Sequence, residues 1–228
     1  TIMTLAVAEA IMNCQGDYTK LYDATIASMR LIGPKYPCSG YGGSFFRWLY
    51  SDRPKPYDSY GNGAAMRISP VAYIATSLAD VKKYSRAVTE TTHNNIEGIK
   101  GAEAVASAIF LARSGKTQAE IRDYICHNYY PLNFTLDEIR PTYEFDSSCQ
   151  GTVPQAIVAF LEANSFEDAI RNAISIGGDA DTIAAITGSI AEAYFSIPEE
   201  IAEKALLYLD ELQLDILQRF ENFRKGLR

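Results

Sequence analysis

The stretch Ile-Gly-Gly-Asp-Ala-Asp-Thr-Ile at positions 176–183 is the most informative part of this chain. Its two glycines end the preceding helical segment, because glycine lacks a Cβ and permits tight turns. A run of small and apolar residues with helical spacing begins directly after the stretch. The sequence therefore predicts a helix, a sharp break and a second helix, with two carboxylates and a hydroxyl held at the break.

The rest of the chain repeats this helical pattern. Apolar residues recur at helical spacing, and no segment shows the convincing alternation that a strand would require. The predicted helices cover residues 2–12, 18–32, 45–50, 64–79, 102–112, 117–126, 153–163, 166–174, 183–195 and 198–223. A polar stretch precedes residues 91–95, and residues 130–151 are interpreted as an irregular excursion over the surface. We therefore predict an all-α fold of roughly ten helices.

Length, charge and cysteine spacing are typical of a single-domain protein that neither binds nucleic acids broadly nor spans a membrane. The 228 residues, 47% of them hydrophobic, suffice for one well-buried domain, and no linker-like stretch divides them. The formal net charge of −7 argues against broad nucleic-acid binding, which usually requires a basic surface. No apolar run has the length of a membrane-spanning helix, and we expect no signal peptide. The four widely spaced cysteines fit no zinc or disulfide pattern, so we expect a cytoplasmic monomer with reduced thiols.

The acidic turn at positions 179–182 is the strongest candidate site. Asp179, Asp181 and Thr182 offer hard oxygen ligands, which suit Mg²⁺, Mn²⁺ or Ca²⁺ and not zinc. The alternative is that one of the aspartates only caps the following helix. One aspartate would satisfy that need, so a second aspartate and a threonine beside Gly-Gly favour metal binding. The positive helix end opposes a cation, but two full charges outweigh a partial charge of about half a unit.

Three further stretches are candidates for ligand binding. Gly-Asn-Gly at 61–63 opens a helix, and the N–H groups of such a loop can hold phosphate or a sugar oxygen; a plain turn is the alternative. Residues 39–44 form a second glycine-rich loop, with an ordinary surface loop as the alternative. His93 is a candidate ligand contact or a structural histidine. Arg67 is interpreted as a partner of a phosphate or of a site carboxylate, or as half of a structural ion pair.

Together these stretches resemble the ADP-ribosylglycohydrolase family, which includes the dinitrogenase reductase-activating glycohydrolase and the animal ADP-ribosyl-acceptor hydrolases. The resemblance extends from residue 1 to about residue 200, and its motifs follow the family's order along the chain. The stretches that carry it are residues 1–10, 61–67, 92–94 and 177–184. It implies an orthogonal bundle of helices with two adjacent Mg²⁺ or Mn²⁺ ions in a cleft.

The resemblance also implies roles for individual residues. The implied metal ligands, of which the two aspartates are also the catalytic carboxylates, are Asp179, Asp181 and Thr182. The implied contacts with ADP-ribose, of which the first two face its phosphates, are Gly42, Gly43, Asn62, Gly63 and His93.

The chain departs from the family pattern at its start. The family's other metal ligands lie in a Thr-Asp-Asp triplet, and Thr1 matches the residue directly after it. A helix that begins at residue 1 without an upstream cap is unusual for a natural terminus. We therefore expect that truncation, and not evolutionary loss, removed the triplet and the helix before it. On this expectation, residues 1–228 form a single domain that lacks its first set of metal ligands.

The resemblance implies a metal-dependent hydrolase that cleaves the glycosidic bond between ADP-ribose and an acceptor, either a protein side chain or a small molecule. The identity of the acceptor and the choice between Mg²⁺ and Mn²⁺ stay open. The alternative is a non-catalytic relative that binds ADP-ribose or, like the lens-type crystallins, only packs. A phosphate-handling metal hydrolase is a weaker third hypothesis, because the chain shows no further carboxylate cluster.

Overall fold

The computed structural model describes residues 1–226, which form fourteen α-helices and two short 3₁₀-helices. The α-helices are α1 (Ile2–Asn13), α2 (Leu21–Ile32), α3 (Gly43–Leu49), α4 (Gly63–Met66), α5 (Val71–Ile74), α6 (Leu78–Thr89), α7 (Ile96–Arg113), α8 (Gln118–Asn128), α9 (Leu136–Ile139), α10 (Cys149–Leu161), α11 (Phe166–Ser175), α12 (Ala180–Phe195), α13 (Glu199–Leu206) and α14 (Glu211–Gly226). The 3₁₀-helices cover Tyr18–Lys20 and Gly33–Lys35. Over the described range the only β pairing is one antiparallel bridge between Gly61 and Ser148, so the predicted all-α class is confirmed.

Helix α7 lies at the centre of the bundle and is buried around most of its circumference. It packs against α4, α6, α10 and α12. Glycine, alanine and serine make up much of its buried surface, so the axes of neighbouring helices can come close. A Cβ at Gly101 would lie 2.5 Å from the Sγ atom of Cys149 on α10. The close approach of α7 and α10 therefore depends on this glycine.

Side-chain caps define where six of the helices begin. Thr117 and Thr135 form capping boxes with Glu120 and Glu138, in which each side chain accepts a backbone N–H of the other residue. The simpler caps, which accept one N–H from the first turns of α6, α7, α10 and α11, are Ser77, Asn95, Ser148 and Ser165. The segments directly before α7 and α10 contribute residues to the cleft described below.

The structure differs from the predicted helices in several regions. Helix α7 begins six residues before its predicted start, and α9 lies within residues 130–151, which were predicted to be irregular. Residues 64–79 hold the two short helices α4 and α5, because Pro70 has no N–H and restricts the residue before it. The polar stretch after them contains a full helix, α6. The predicted helix 198–223 is divided into α13 and α14 by a turn at residues 207–210.

A continuous hydrophobic core runs through the bundle and includes side chains from α1 to α14. Among its fully buried side chains are Ile11, Leu21, Ile109, Ile157 and Phe160. No helix within residues 1–226 combines the length and the apolar character needed to cross a membrane.

Candidate active site

A cleft of about 740 Å³ lies at the N-terminal end of α12. The first half of the chain contributes the start of α1, residues 39–45, the loop before α4 and His93 before α7 to its walls. The second half contributes Phe145, Ser147 and the turn at the start of α12. This volume is in the range of sites that bind small molecules. Every site residue predicted from the sequence lines the cleft: Gly42, Gly43, Asn62, Gly63, His93, Asp179, Asp181 and Thr182.

The turn before α12 brings two aspartates to the floor of the cleft. Gly177 and Gly178 both have positive φ, at 74° and 64°, a conformation that strains other residues. A Cβ at Gly178 would also collide with the ring of Tyr143. The backbone angles therefore favour glycine at both positions, and close packing also requires it at Gly178.

Asp179 occupies the N-cap position of α12 but does not cap the helix with its side chain. Its Oδ2 atom instead accepts a hydrogen bond of 2.6 Å from the Nδ2 of Asn62. The same Asn62 amide donates to the Oγ1 of Thr152 at 3.1 Å. The side chain of Asp179 is thus directed across the cleft to a residue 117 positions away, which excludes simple capping for this residue.

The two carboxylates of the turn are close enough to share a hydrogen bond. Burial raises the pKa of Asp179, the hydrogen bond from Asn62 opposes this shift, and the hydrogen bond with Asp181 raises the pKa further. Thr182 is buried beside them, and its hydroxyl lies 3.7 Å from the Sδ of Met66. The turn therefore concentrates negative charge at a partly buried point, which a proton or a cation would relieve.

The Gly-Asn-Gly loop is tied to the segment before α10. The backbone N–H of Asn62 donates to the carbonyl of Ser147 at 2.8 Å, and the N–H of Cys149 donates to the carbonyl of Tyr60 at 2.8 Å. Asn62 is 7% exposed, so little of its surface contacts solvent. These bonds fix the loop, and through Asn62 they also fix the position of the Asp179 carboxylate.

His93 is almost completely buried at the edge of the cleft. Its Nδ1 lies 2.6 Å from the Oγ1 of Thr92, and that oxygen accepts a hydrogen bond of 2.6 Å from the Nη2 of Arg67. Its Nε2 faces the Gly-Asn-Gly loop, 3.6 Å from the position that a Cβ of Gly61 would occupy. Burial, together with the nearby Arg67 charge, lowers the pKa of His93 well below its ordinary value. The imidazole is therefore neutral near pH 7.

Arg67 lies next to this histidine and is 2% exposed. Burial lowers the pKa of its guanidinium to about 10, which leaves it charged at neutral pH. It forms no ion pair within residues 1–226. Its guanidinium lies 5.9 Å from the ring centroid of Phe45. Of the roles considered for Arg67, pairing with a carboxylate of the site is thus not what the described structure shows.

Gly42 and Gly43 lie on the exposed side of the cleft at the start of α3. A Cβ at Gly42 would meet nothing within 4 Å, and one at Gly43 would lie 3.9 Å from the Nη1 of Arg47. Neither glycine is required by the packing of the protein itself. The space above them is open to the cleft, so their predicted contact with a ligand stays a prediction.

Several residues of the cleft wall were not predicted from the sequence. Phe45 and Tyr57 line it, as do Phe145 and Ser147. The last two belong to residues 130–151, which were expected only to cross the surface; the structure shows that this segment also forms part of the site. Isolated aromatic residues carry no spacing signal. The role of Ser147 depends on its carbonyl, which no side-chain pattern reveals.

Comparison with known proteins agrees with this fold and identifies a family. The family profile of ADP-ribosylglycohydrolase matches residues 1–224. This chain belongs to the ADP-ribosylglycohydrolase family, as the motifs at the cleft had indicated.

Two relatives with similar sequences are named as hydrolases of ADP-ribose linkages. ADP-ribosylhydrolase ARH3 of Bos taurus is 29% identical over 191 residues, which cover 64% of this chain and 52% of that protein. ADP-ribosylarginine hydrolase Tri1 of Pseudomonas putida (strain GB-1) is 28% identical over 159 residues, which cover 63% of this chain and 42% of that protein. Their names show that the family contains enzymes. The chain spans about half the length of the curated ARH3 relatives it matches.

A solved structure shares the fold. A chain of an "ADP-ribosylglycohydrolase-related protein complex" superimposes with a TM-score of 0.69 at 23% sequence identity. The superposition covers 99% of this chain and 78% of the other. The predicted helical bundle of the ADP-ribosylglycohydrolase type is therefore confirmed.

Proposed function

We propose that this chain forms the ADP-ribose cleft of a hydrolase that cleaves the glycosidic bond between ADP-ribose and an acceptor. The observation that carries the proposal is that the acidic turn, the Gly-Asn-Gly loop and His93 line one cleft although they lie far apart in sequence. The names of the relatives, ADP-ribosylhydrolase and ADP-ribosylarginine hydrolase, support this substrate class. They leave the acceptor open between a protein side chain and a small molecule.

The acidic turn offers carboxylate and hydroxyl oxygens, which are the ligand atoms that a divalent cation such as Mg²⁺ prefers. Mg²⁺ is usually held by one or two carboxylates, with waters in its other positions, and Asp179 and Asp181 provide such a pair. Thr182 adds a hydroxyl beside them. Within residues 1–226, however, no cluster of three or more His, Cys, Asp or Glu side chains is found. The described residues thus suit one Mg²⁺ or Mn²⁺, and a second ion would need further ligands.

The start of α1 indicates where further ligands would enter. Thr1 and Ile2 line the cleft. The backbone nitrogen of Thr1 lies near enough to the Asp181 carboxylate for the two to interact electrostatically. Residues placed before Thr1 in a longer chain would therefore reach the cleft beside Asp181. We propose that the Thr-Asp-Asp triplet expected there completes a site for two ions.

Other residues of the cleft position the Asp179 carboxylate and the substrate. Asn62 holds the Asp179 carboxylate in place, and the Gly-Asn-Gly loop and His93 contact ADP-ribose. A divalent cation held by Asp179, Asp181 and Thr182 would supply positive charge at the floor of the cleft and would make a water molecule more acidic. Cleavage at the anomeric carbon passes through an oxocarbenium-like state. Fixed polar groups around that carbon lower the barrier by several kcal/mol through positioning and electrostatics.

Replacement of Asp181 by alanine tests this assignment. We expect Asp181→Ala to abolish metal-dependent hydrolysis of ADP-ribosylated peptides, because one of the two carboxylates is lost. The assay should use both this chain and a version extended upstream of Thr1, with serine- and arginine-linked substrates. Glu167→Ala is the matched control, because Glu167 is also the exposed second residue of a helix but lies outside the cleft. Unchanged hydrolysis by Asp181→Ala would refute the assignment.

A non-catalytic ADP-ribose binder is the second candidate function. It is favoured because residues 1–226 contain no group of three or more His, Cys, Asp or Glu side chains that could hold a metal ion. Isothermal titration calorimetry with ADP-ribose, with and without Mg²⁺, separates the candidates. Binding that Mg²⁺ strengthens supports the enzyme, whereas binding that is insensitive to Mg²⁺, in a protein that hydrolyses nothing, supports the binder. A protein that binds no ADP-ribose in either condition contradicts both.

A further inference from the structure

The side chains of Arg67, Thr92 and His93 form a hydrogen-bonded chain that ends in the cleft. Arg67 Nη2 and Thr92 Oγ1 are 2.6 Å apart, and Thr92 Oγ1 and His93 Nδ1 are also 2.6 Å apart. All three side chains are at least nine-tenths buried. Water therefore has little access to the two links, and the protein's own groups set the direction of each hydrogen bond.

The direction of the first link follows from chemistry alone. A guanidinium has only donors, so Arg67 donates and Thr92 Oγ1 accepts. The threonine hydroxyl keeps one proton of its own, and repulsion from the arginine turns this proton away from the guanidinium. His93 Nδ1 is the acceptor at hydrogen-bond distance on the other side. A neutral imidazole that accepts at Nδ1 carries its proton on Nε2.

We infer that Arg67 and Thr92 position His93 as a hydrogen-bond donor, with its proton on Nε2 and none on Nδ1. Nε2 faces the Gly-Asn-Gly loop in the cleft. His93 therefore presents an N–H to a ligand oxygen, such as a phosphate oxygen, and does not serve as a proton acceptor there. This inference rests on the proposed function for the identity of the ligand, but the tautomer itself is a property of the free protein.

Tyr57 is the other polar group at Thr92. Its phenol interacts with the Thr92 side chain, and its ring lies 6.0 Å from the imidazole. If the threonine proton pointed to Tyr57, His93 Nδ1 would have to donate, and Thr92 Oγ1 would accept from both Arg67 and His93. That arrangement turns the positive Nδ1–H end of the imidazole, and not its lone pair, toward the side of the Arg67 charge, which disfavours it. The two orientations predict opposite tautomers, so they can be distinguished by measurement.

Long-range ¹H–¹⁵N NMR correlations of the imidazole ring report which nitrogen carries the proton. We expect the wild-type protein, without ligand at neutral pH, to show His93 protonated at Nε2 only; the His127→Gln variant assigns the signals. Thr92→Val should shift the population toward the other tautomer, and Thr92→Ser should restore it. Thr91→Val is the matched control, since Thr91 is equally buried but donates to the carbonyl of Val88.

The Nδ1-protonated tautomer in the wild-type protein would overturn the inference, and so would a tautomer that Thr92→Val leaves unchanged. The functional consequence is measured by titration with ADP-ribose. Thr92→Val should weaken binding about ten-fold, as expected for the loss of one oriented hydrogen bond. Thr91→Val and Thr92→Ser should bind as the wild type does. A wild-type protein that binds no ADP-ribose would contradict the proposed function, while the NMR result would still decide the role of Arg67 and Thr92.

Discussion

Asp179 and Arg67 are partly or fully buried ionisable groups, and the hydrogen bonds around each of them only partly offset its loss of contact with water. Asp179 receives hydrogen bonds from Asn62 and Thr182 but faces a second carboxylate, Asp181. Arg67 is buried with a single donated hydrogen bond, and its Nε has no partner among the described residues. Such arrangements reduce stability and are typical of functional sites, where a ligand supplies the missing partner. The cleft thus has an acidic floor and a buried cation in its wall.

Burial of a neutral histidine predicts how stability changes with pH. The folded pKa of His93 is lowered below its ordinary value of 6.5, and so the unfolded chain binds a proton first as the pH falls. The free energy of unfolding should therefore be fully retained above pH 6.5 and should decrease below it. This single residue contributes at most about 1.4 kcal/mol per pH unit to the slope.

The His93→Gln variant tests that contribution, because glutamine does not titrate. Urea unfolding at several values between pH 5 and pH 7 should give a shallower slope for this variant than for the wild type. His127→Gln, which removes the exposed histidine outside the cleft, serves as the control. Equal slopes for His93→Gln and the wild type would mean that His93 is not held neutral.

At the scale of helices, the packing of α7 against α10 depends on one missing side chain. In Gly101→Ala the new Cβ would lie 2.5 Å from Cys149 Sγ and 2.7 Å from Cys149 Cβ. The helices would have to separate, and overpacking of this kind costs about 1–3 kcal/mol. That cost exceeds the gain of up to about 1 kcal/mol from replacing glycine by alanine in a helix. We expect a lower free energy of unfolding by urea.

Gly188→Ala is the matched control for this prediction. Gly188 also lies inside a helix, but its added Cβ would meet only the Cδ1 of Ile170, at 3.0 Å. The end of an isoleucine side chain can move, so this variant should keep the wild-type stability or gain up to about 1 kcal/mol. Equal stability changes in the two variants would show that the contact at Cys149 is not limiting.

Helices were predictable where one face was uniformly apolar. Helix α6 was missed because half of its buried stripe is polar: Val81 and Val88 turn inward together with Ser85 and Thr89. The start of α7 was predicted at residue 102, but the helix begins six residues earlier, at Ile96, after the Asn95 cap. A cap followed by charged and small residues gives little apolar periodicity. The break between α13 and α14 was not predicted either, because residues 207–210 contain no proline or glycine that would mark it.

At the scale of the whole molecule, the cleft is assembled from segments that are distant in sequence. The acidic turn and the Gly-Asn-Gly loop were predictable, because their chemistry is concentrated in a few adjacent residues. The chain from Arg67 through Thr92 to His93 was not, because it links residues 25 positions apart through a fold that the sequence pattern does not specify. Phe145 and Ser147 were missed for the same reason.

This assembly predicts that ADP-ribose protects all the walls of the cleft together. At one hundred times its dissociation constant, ADP-ribose should stabilise the fold by about 2.7 kcal/mol and raise the melting temperature by roughly 5–10 °C. Hydrogen exchange should slow in residues 39–45, 57–63, 145–147 and 177–182, which line the cleft. Exchange in α13, which has no buried residue and lies outside the cleft, should not change. Protection confined to one of these segments would contradict a ligand that contacts all the walls together, and protection that extends to α13 would contradict binding in the cleft alone.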